Sequence, residues 1–538
     1  MYFRVTTLLF VAGLGACNPR EPEPLVVFIG LDGASLDIVD ELRAAGGLPT
    51  FDRLIRTGVS GPLQSWASKP ILSENLRRGF WSPIVWTSIA TGKIPEKHGV
   101  RDFVLPVPGS SSVFMGSETA LITLPELHGR LPLQLVLRLR SHRPAGEQSV
   151  QVLLNNVAIE TVRVPVEWTE LTVPVPAEAL APVRNELELV FSRQHGNRAA
   201  ELAFMDVEDA NGRTLFSLEP AYARERLVRG FETPRARLTE VQSVHWKAKP
   251  FWTLLGEAGV PVGVVGYWGT WPAYEVNGFL VSSRMGIREQ RSGSARLTWP
   301  EGLATELEPL APNVDDLEAT FERLHVSECE PPLIDTQSVL KKILMQDEYY
   351  VRIAKELLPT MESGLFVIYL RSIDVAGHPT LHWRHGAPLP EGCPESVRGV
   401  MDATYAQVDR WIAEVLEALP RRATVVLVSD HGMQPIEGGG HHAPFGLFVA
   451  SGEGIRRGST FRGSTVLDVA PTVLYLLGSS IPLDMDGKML ASIFESVWLG
   501  AHAPRFVDAD TSLTQDGDMP TEVSPDAIEE LKALGYIE

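Results

Sequence analysis

The sequence predicts a doubly wound, mostly parallel α/β sheet with an antiparallel β-sandwich inserted into it. Three observations lead there. Apolar, strand-like runs alternate with helical patterns over residues 25–109 and 221–538. Between them, residues 110–220 hold only short runs with period-two alternation. Acidic residues stand just past several of the apolar runs, where sheets of this kind gather their chemistry.

The chain has 538 residues, too many for one compact core, so two or more domains are expected. Hydrophobic residues make up 44% and charged residues 21%, the balance of a folded protein. A net charge of −19 excludes nucleic acid as a partner, because phosphate backbones demand a basic face. Anionic phosphate esters stay open as substrates, since bound metal ions reverse the local field.

Residues 1–17 read as a secretory signal. Arg4 precedes an apolar run from Val5 to Leu14 that is too short to span a bilayer. Leu14-Gly15-Ala16-Cys17 resembles a bacterial lipobox, which implies cleavage before Cys17 and a lipid on its sulfur. The other reading is an ordinary secretory signal with an incidental cysteine. Residues 18–24, polar and proline-rich, form a tether. The expected location is the periplasm, anchored through Cys17; the resemblance to bacterial lipoproteins slightly favours the outer membrane, since Asn18 is not the Asp that often implies inner-membrane retention. Cys329 and Cys393 either pair, stabilising by roughly 3–5 kcal/mol, or stay as two buried thiols.

Residues 25–109 open the catalytic α/β domain. Leu25 to Ile29 is an apolar strand, and Asp32-Gly33 follows it, so the chain can turn and aim the carboxylate at an ion. Asp32 reads equally well as a helix cap. Ser82-Pro83 marks a helix start, because proline suits the first turn and holds the preceding residue extended. That helix runs to about Thr91 and ends at Gly92. Ser82 then faces unpaired backbone N–H groups, a ready phosphate site. Thr87, Ser88 and Thr91 lie inside the helix as packing or back-bonded residues.

Residues 110–220 contain Leu131 to Leu139, Ser149 to Leu154, Ala158 to Val164, Leu171 to Val175 and Glu186 to Phe191 as alternating runs. Asn155-Asn156, Pro165 and Asn211-Gly212 supply the turns. Through Trp168 and the run Asn185 to Leu189 this stretch loosely resembles galactose-binding-like modules, which leaves glycan contact open.

Residues 221–538 return to alternating elements, such as the helix Phe251 to Ala258 and the strand Pro261 to Tyr267. Asp374 and His378 are four apart, hence on one helical face, after the strand-like Leu365 to Leu370. Nearby His382 and His385 are either substrate contacts or surface polarity. Asp430-His431 ends the most apolar strand, Thr424 to Val428, and a sharp turn at Gly432 would let both residues bind an ion. Gly438-Gly439-Gly440-His441-His442 reads as a flexible loop offering two imidazoles, with His442 favoured over His441. Carboxylates and imidazoles together suit zinc or a similar divalent ion.

These segments, with Ser82 to Gly92, Pro95 and His98-Gly99, resemble the alkaline phosphatase superfamily, in its type I phosphodiesterase/nucleotide pyrophosphatase-like branch. The resemblance covers about residues 25–110 and 225–495. It implies a phosphoesterase with two zinc ions about 4 Å apart. Asp32, Ser82, Asp430 and His431 would hold one, and Asp374, His378 and His442 the other. Ser82 would be the nucleophile, forming a covalent phosphoseryl intermediate on a small-molecule, nucleotide or lipid phosphate ester. Two departures stand out: the branch usually carries threonine at this position, and Ser68 to Phe80 is longer than its counterpart.

The same fold hosts sulfatases, but their Cys/Ser-x-Pro-x-Arg motif is missing, since Pro83 directly follows Ser82 and Trp86 stands four positions on. A headgroup phosphotransferase, or a non-catalytic glycan-binding surface protein, completes the alternatives.

Overall fold

Seven consecutive buried residues, Leu25–Leu31 (β1), run through the middle of the main sheet. Leu25, Val27, Ile29 and Leu31 enter one core layer, while Val26 and Phe28 enter the other. A strand apolar on both faces needs helices on both sides, and that dictates the architecture. This computed structural model describes residues 24–513, leaving out 66–81, 101–103, 107–111, 117, 128–130, 213, 219, 221–225, 233–237, 287–295, 314, 325–333 and 390.

After β1 come β2 (Val59–Gln64), β3 (Val262–Val265), β4 (Gly278–Val281), β5 (Gly364–Leu370) and β6 (Thr424–Val428). A hairpin of β7 (Gly432–Ile436) and β8 (Gly439–Ala443) leads to β9 (Phe445–Ser451). The main sheet runs β4-β3-β5-β1-β6-β9-β2, with short edge strands at Thr298–Trp299 and Ser459–Thr460. The central strands β4, β3, β5, β1 and β6 are parallel, and β9 is antiparallel to its neighbours. The sheet is doubly wound and mixed. One face carries α1 (Ser82–Thr91) and the helices Phe251–Glu257 and Val469–Leu476. On the other lie α2 (Ile334–Leu357), α3 (Ser372–Arg384) and α4 (Val400–Glu417).

Residues 113–229 form two further sheets around a separate apolar core. One consists of Leu227–Arg229, Thr119–Leu124, Asn185–Phe191, Gln148–Leu154 and Val157–Val164. The other pairs Thr214–Leu218, Ala200–Glu208, Leu133–Ser141 and Thr169–Val175. Leu227–Arg229 lies beyond residue 220, where the sequence pattern ends the sandwich. Asn155 and Asn156 have φ of 51° and 65° and make the tight turn between two of them. Ala200–Glu208 escapes sequence patterning because its first four residues are all buried, which erases the alternation. Trp168 carries the Arg140 guanidinium 4.6 Å above its ring, and Asn185 bonds Asn155 and Ala181, so both residues serve the sandwich itself.

Where the chain leaves and re-enters the main body, Val104–Pro106 pairs with Leu238–Glu240. The signal, Cys17, nearly all of the tether, Ser68 to Phe80 and Cys329 lie outside the described residues. Cys393 is disulfide-bonded, and its partner is also outside them.

Candidate metal centre

The three parallel strands β5, β1 and β6 are neighbours, and each delivers an aspartate just past its carboxyl end. Asp32 follows β1, Asp374 lies in the first turn of α3 after β5, and Asp430 follows β6. Gly33 has a φ of 71°, and a Cβ there would lie 2.9 Å from Asp374 Cα, so only glycine lets these two segments meet. Asp32 is not a helix cap, since that position belongs to Ser35.

Ser82 opens α1 and is buried against the carboxylates. Its Oγ lies 3.1 Å from Asp32 Oδ1 and 3.4 Å from His431 Nε2. His431 Nε2 is in turn 3.4 Å from Asp32 Oδ1, 3.3 Å from Asp430 Oδ2 and 3.9 Å from Asp374 Oδ1. Asp374 Oδ1 lies 3.4 Å from both His378 Nε2 and His442 Nε2, and those two nitrogens are 3.1 Å apart. Within α1, Thr87 and Thr91 donate back to Pro83 O and Thr87 O, and Ser88 Oγ meets His98 Nε2 at 3.0 Å.

Of the stretch read as a loop, only Gly438 lies in a turn, and Gly439 to His442 belong to a paired strand. Its glycines serve close approach: a Cβ on Gly439 would overlap the His378 carbonyl, and one on Gly440 the Gly377 carbonyl. β8 therefore lies flat on α3. Alternation along β8 turns His441 and His442 to opposite faces, and His442 is the buried one. Gly432 likewise makes no left-handed turn. A Cβ there would overlap Phe445 O, and the lack of one lets the hairpin fold over the end of β6. His382 packs 4.7 Å from Trp383 and His385 is exposed; neither joins the cluster.

Several supporting groups carry no sequence signal. Tyr369 donates its hydroxyl to Asp32 Oδ2. Ala34 N–H donates to Ser429 Oγ at 2.8 Å, and Ser429 Oγ donates to His431 O at 2.7 Å, tying β1 to the turn after β6. Asp347 of α2 accepts from the N–H groups of Arg371 and Ser372, and so caps the start of α3 from another helix.

Burial dominates the electrostatics. It raises Asp32 to about 7, helped by the charge of Asp374. Burial, then Asp32 and Asp374, push Asp430 well above the carboxylate range. Burial acts in the same direction on Asp374, but His378 and His442 outweigh it and hold that carboxyl well below its usual value. His378 is raised despite burial by facing Asp374. Burial lowers His431 and His442, so these two rings stay neutral and keep a lone pair to offer.

Three carboxylates out of water within one small volume need compensating cations. Asp430 Oδ2 accepts no hydrogen bond among the described residues. Donor atoms of Asp374, His431 and His442 lie within 4.8 Å of one another, as do those of Asp32, Asp430 and His431. The cluster fits divalent ions bound by oxygen and imidazole nitrogen, and His431 faces both donor groups.

Residues 223–451 match the family model described as type I phosphodiesterase / nucleotide pyrophosphatase. Among curated proteins, the 2,3-bisphosphoglycerate-independent phosphoglycerate mutase of Roseobacter denitrificans is 36% identical over 126 residues, covering 22% of this chain and 24% of its own length. The enzyme of the same name from Paracoccus denitrificans is 29% identical over 150 residues, covering 26% of each. The chain thus spans about a quarter of the length of the curated relatives it matches. Human ectonucleotide pyrophosphatase / phosphodiesterase 5 aligns over 88% of this chain and 100% of its own, at 10% identity and a TM-score of 0.39.

Proposed function

We propose that this chain, with a type I phosphodiesterase / nucleotide pyrophosphatase domain at residues 223–451, is a metal-dependent phosphoesterase that favours diesters and uses Ser82 as its nucleophile. One observation carries the reading: a buried serine hydroxyl at a helix start, 3.1 Å from Asp32 Oδ1, at the edge of a cluster of carboxylates and imidazoles. Asp32, Asp430 and His431, with Ser82, would hold one divalent ion; Asp374, His378 and His442 would hold a second. Zinc suits the mixed donors best. When bound, such ions neutralise charge on the phosphoryl oxygens and lower the pKa of a hydroxyl held beside them.

The residues then divide the work. Ser82 loses its proton to solvent and its Oγ attacks phosphorus in line. The Oγ–P bond forms as the bond from phosphorus to the leaving oxygen breaks, giving a phosphoseryl enzyme. The backbone N–H groups at the start of α1 face the phosphoryl oxygens. Water attacking phosphorus from the vacated side cleaves the Oγ–P bond and restores Ser82. An alcohol in place of water would yield phosphoryl transfer, the outcome that the mutase names of the curated relatives suggest for this chain.

Zinc-loaded protein assayed on bis-p-nitrophenyl phosphate, p-nitrophenyl phosphate and p-nitrophenyl sulfate tests the reading, with and without an added alcohol. Phosphate diester turnover should exceed the other two. Ser82→Ala should lose at least about 10³-fold in kcat and keep its metal, and acid quenching of the diester reaction should trap a p-nitrophenyl phosphoryl group on Ser82. Sulfate as the preferred ester, or full activity in Ser82→Ala, would overturn it.

Anchoring through Cys17 in a bacterial periplasm belongs to the same proposal, as does glycan contact through the sandwich. Mass spectrometry of the mature N-terminus tests the first, and glycan-array binding tests the second.

A further inference from the structure

The two oxygens of Asp32 face different partners. Oδ1 points to Ser82 Oγ at 3.1 Å and to His431 Nε2 at 3.4 Å. Oδ2 accepts the hydroxyl proton of Tyr369. We propose that Tyr369 is a positioning residue: its hydroxyl occupies Asp32 Oδ2 and leaves Oδ1 as the oxygen offered to the ion beside Ser82. This inference rests on the reading of the cluster as a metal centre.

A carboxylate with both oxygens open has several ways to meet a cation. It can chelate through both, or swing toward the neighbouring donor group around Asp374. Engaging Oδ2 with a fixed donor removes those alternatives, much as the partners of metal-bound side chains do in general.

Tyr369 itself cannot drift. It is the penultimate residue of β5, with its backbone paired in register to Gly30 of β1. Its ring meets Trp86 edge-on, with centroids 4.8 Å apart at 73°. A Cβ on Gly30 would come within 2.9 Å of Trp86 and 3.1 Å of Tyr369, so the three groups are packed without slack. Trp86 belongs to α1, the helix that carries Ser82, and Tyr267 fastens that helix by donating to Trp86 O at 2.7 Å. One ring thus touches both the carboxylate and the nucleophile's helix. Tyr369 sets the distance between Asp32 Oδ1 and Ser82 Oγ from both ends.

The test is Tyr369→Phe in the full-length chain, which removes the hydroxyl and keeps the ring. Tyr267→Phe serves as the comparison, because it deletes an equally buried hydroxyl that does not touch a carboxylate. Zinc affinity is measured by competition with a chromophoric chelator, without substrate. Thermal midpoint and the kcat and KM for bis-p-nitrophenyl phosphate follow. Tyr369→Phe should bind zinc about 10–100-fold more weakly, with kcat reduced and KM little changed. Tyr267→Phe should keep wild-type zinc affinity.

Wild-type zinc affinity in Tyr369→Phe sinks the positioning role while leaving the phosphoesterase reading intact. Equal losses of affinity and midpoint in both variants also sink it, because the effect would then be general destabilisation. If the wild-type protein takes up no divalent ion, the metal-centre reading fails and this inference fails with it.

Discussion

His431 and His442 stack almost parallel, with ring centroids 3.8 Å apart and planes at 23°. They come from different sides of the hairpin: His431 ends the turn after β6, and His442 lies on β8. Stacking at this distance is unfavourable for two imidazolium ions, and burial already disfavours either charge. Burial lowers the pKa of each ring, which favours the neutral stacked pair.

The raised carboxyl of Asp32 contributes a pH dependence whose sign follows from its direction. Asp32 is raised from 3.8 to about 7, chiefly by burial. Its contribution to stability is therefore present below the unfolded value and is lost as pH rises through about 7. Metal-free protein should melt lower at about pH 8 than at about pH 5 by this group's contribution, and added zinc should reverse the order. Calorimetry at both pH values with and without chelator checks it; a chelated protein indifferent to pH would refute it.

His441 and His442 are adjacent, yet their substitution should differ sharply. His442→Ala removes a side chain 3.4 Å from Asp374 Oδ1, and zinc affinity should fall more than about 100-fold, beyond the usual cost of losing an outer partner. His441→Ala should retain its metal. Metal content by elemental analysis distinguishes them, and equal losses would mean that the face of β8 is wrongly oriented.

Gly440→Ala forces a Cβ against the Gly377 carbonyl of α3. Overpacking of that kind costs about 1–3 kcal/mol. Because β8 carries His442 and α3 carries Asp374 and His378, activity should fall along with the melting midpoint. A variant of wild-type stability and activity would show that the hairpin yields freely.

The sandwich should fold without the rest of the chain. Its core residues belong to a separate cluster, and its entry and exit segments pair with one another. Residues 112–232, expressed alone and without metal, should give dispersed amide resonances and a cooperative melt. A collapsed spectrum would show that the main body is needed to hold the two sheets.

Much of this arrangement is legible in the sequence, for a physical reason. Asp32 and Asp430 follow continuous apolar runs, and in a doubly wound sheet the ends of such runs converge. Ser82 is visible because Pro83 marks a helix start. Tyr369 is hidden, because it sits inside the apolar stretch Leu365 to Leu370 and looks like another core residue. Asp347 is hidden because its role depends on a contact between α2 and the start of α3, which no local pattern reports. The hairpin was masked by composition: Gly439 and Gly440 suggest mobility in a sequence, whereas the close approach they permit appears only once α3 lies beneath them.

The central place of β1 has a consequence for how the chain is made. β1 emerges first, yet its two partners begin at Gly364 and Thr424. The main sheet cannot close around it until most of the polypeptide exists. The sandwich, whose strands pair among themselves within residues 113–229, can close earlier, and the pairing of Val104–Pro106 with Leu238–Glu240 then draws its flanks together. That shortens the loop the late strands must span. Asp32, Asp374 and Asp430 meet only at that final docking, so an unfinished or truncated chain has no assembled cluster of carboxylates and imidazoles.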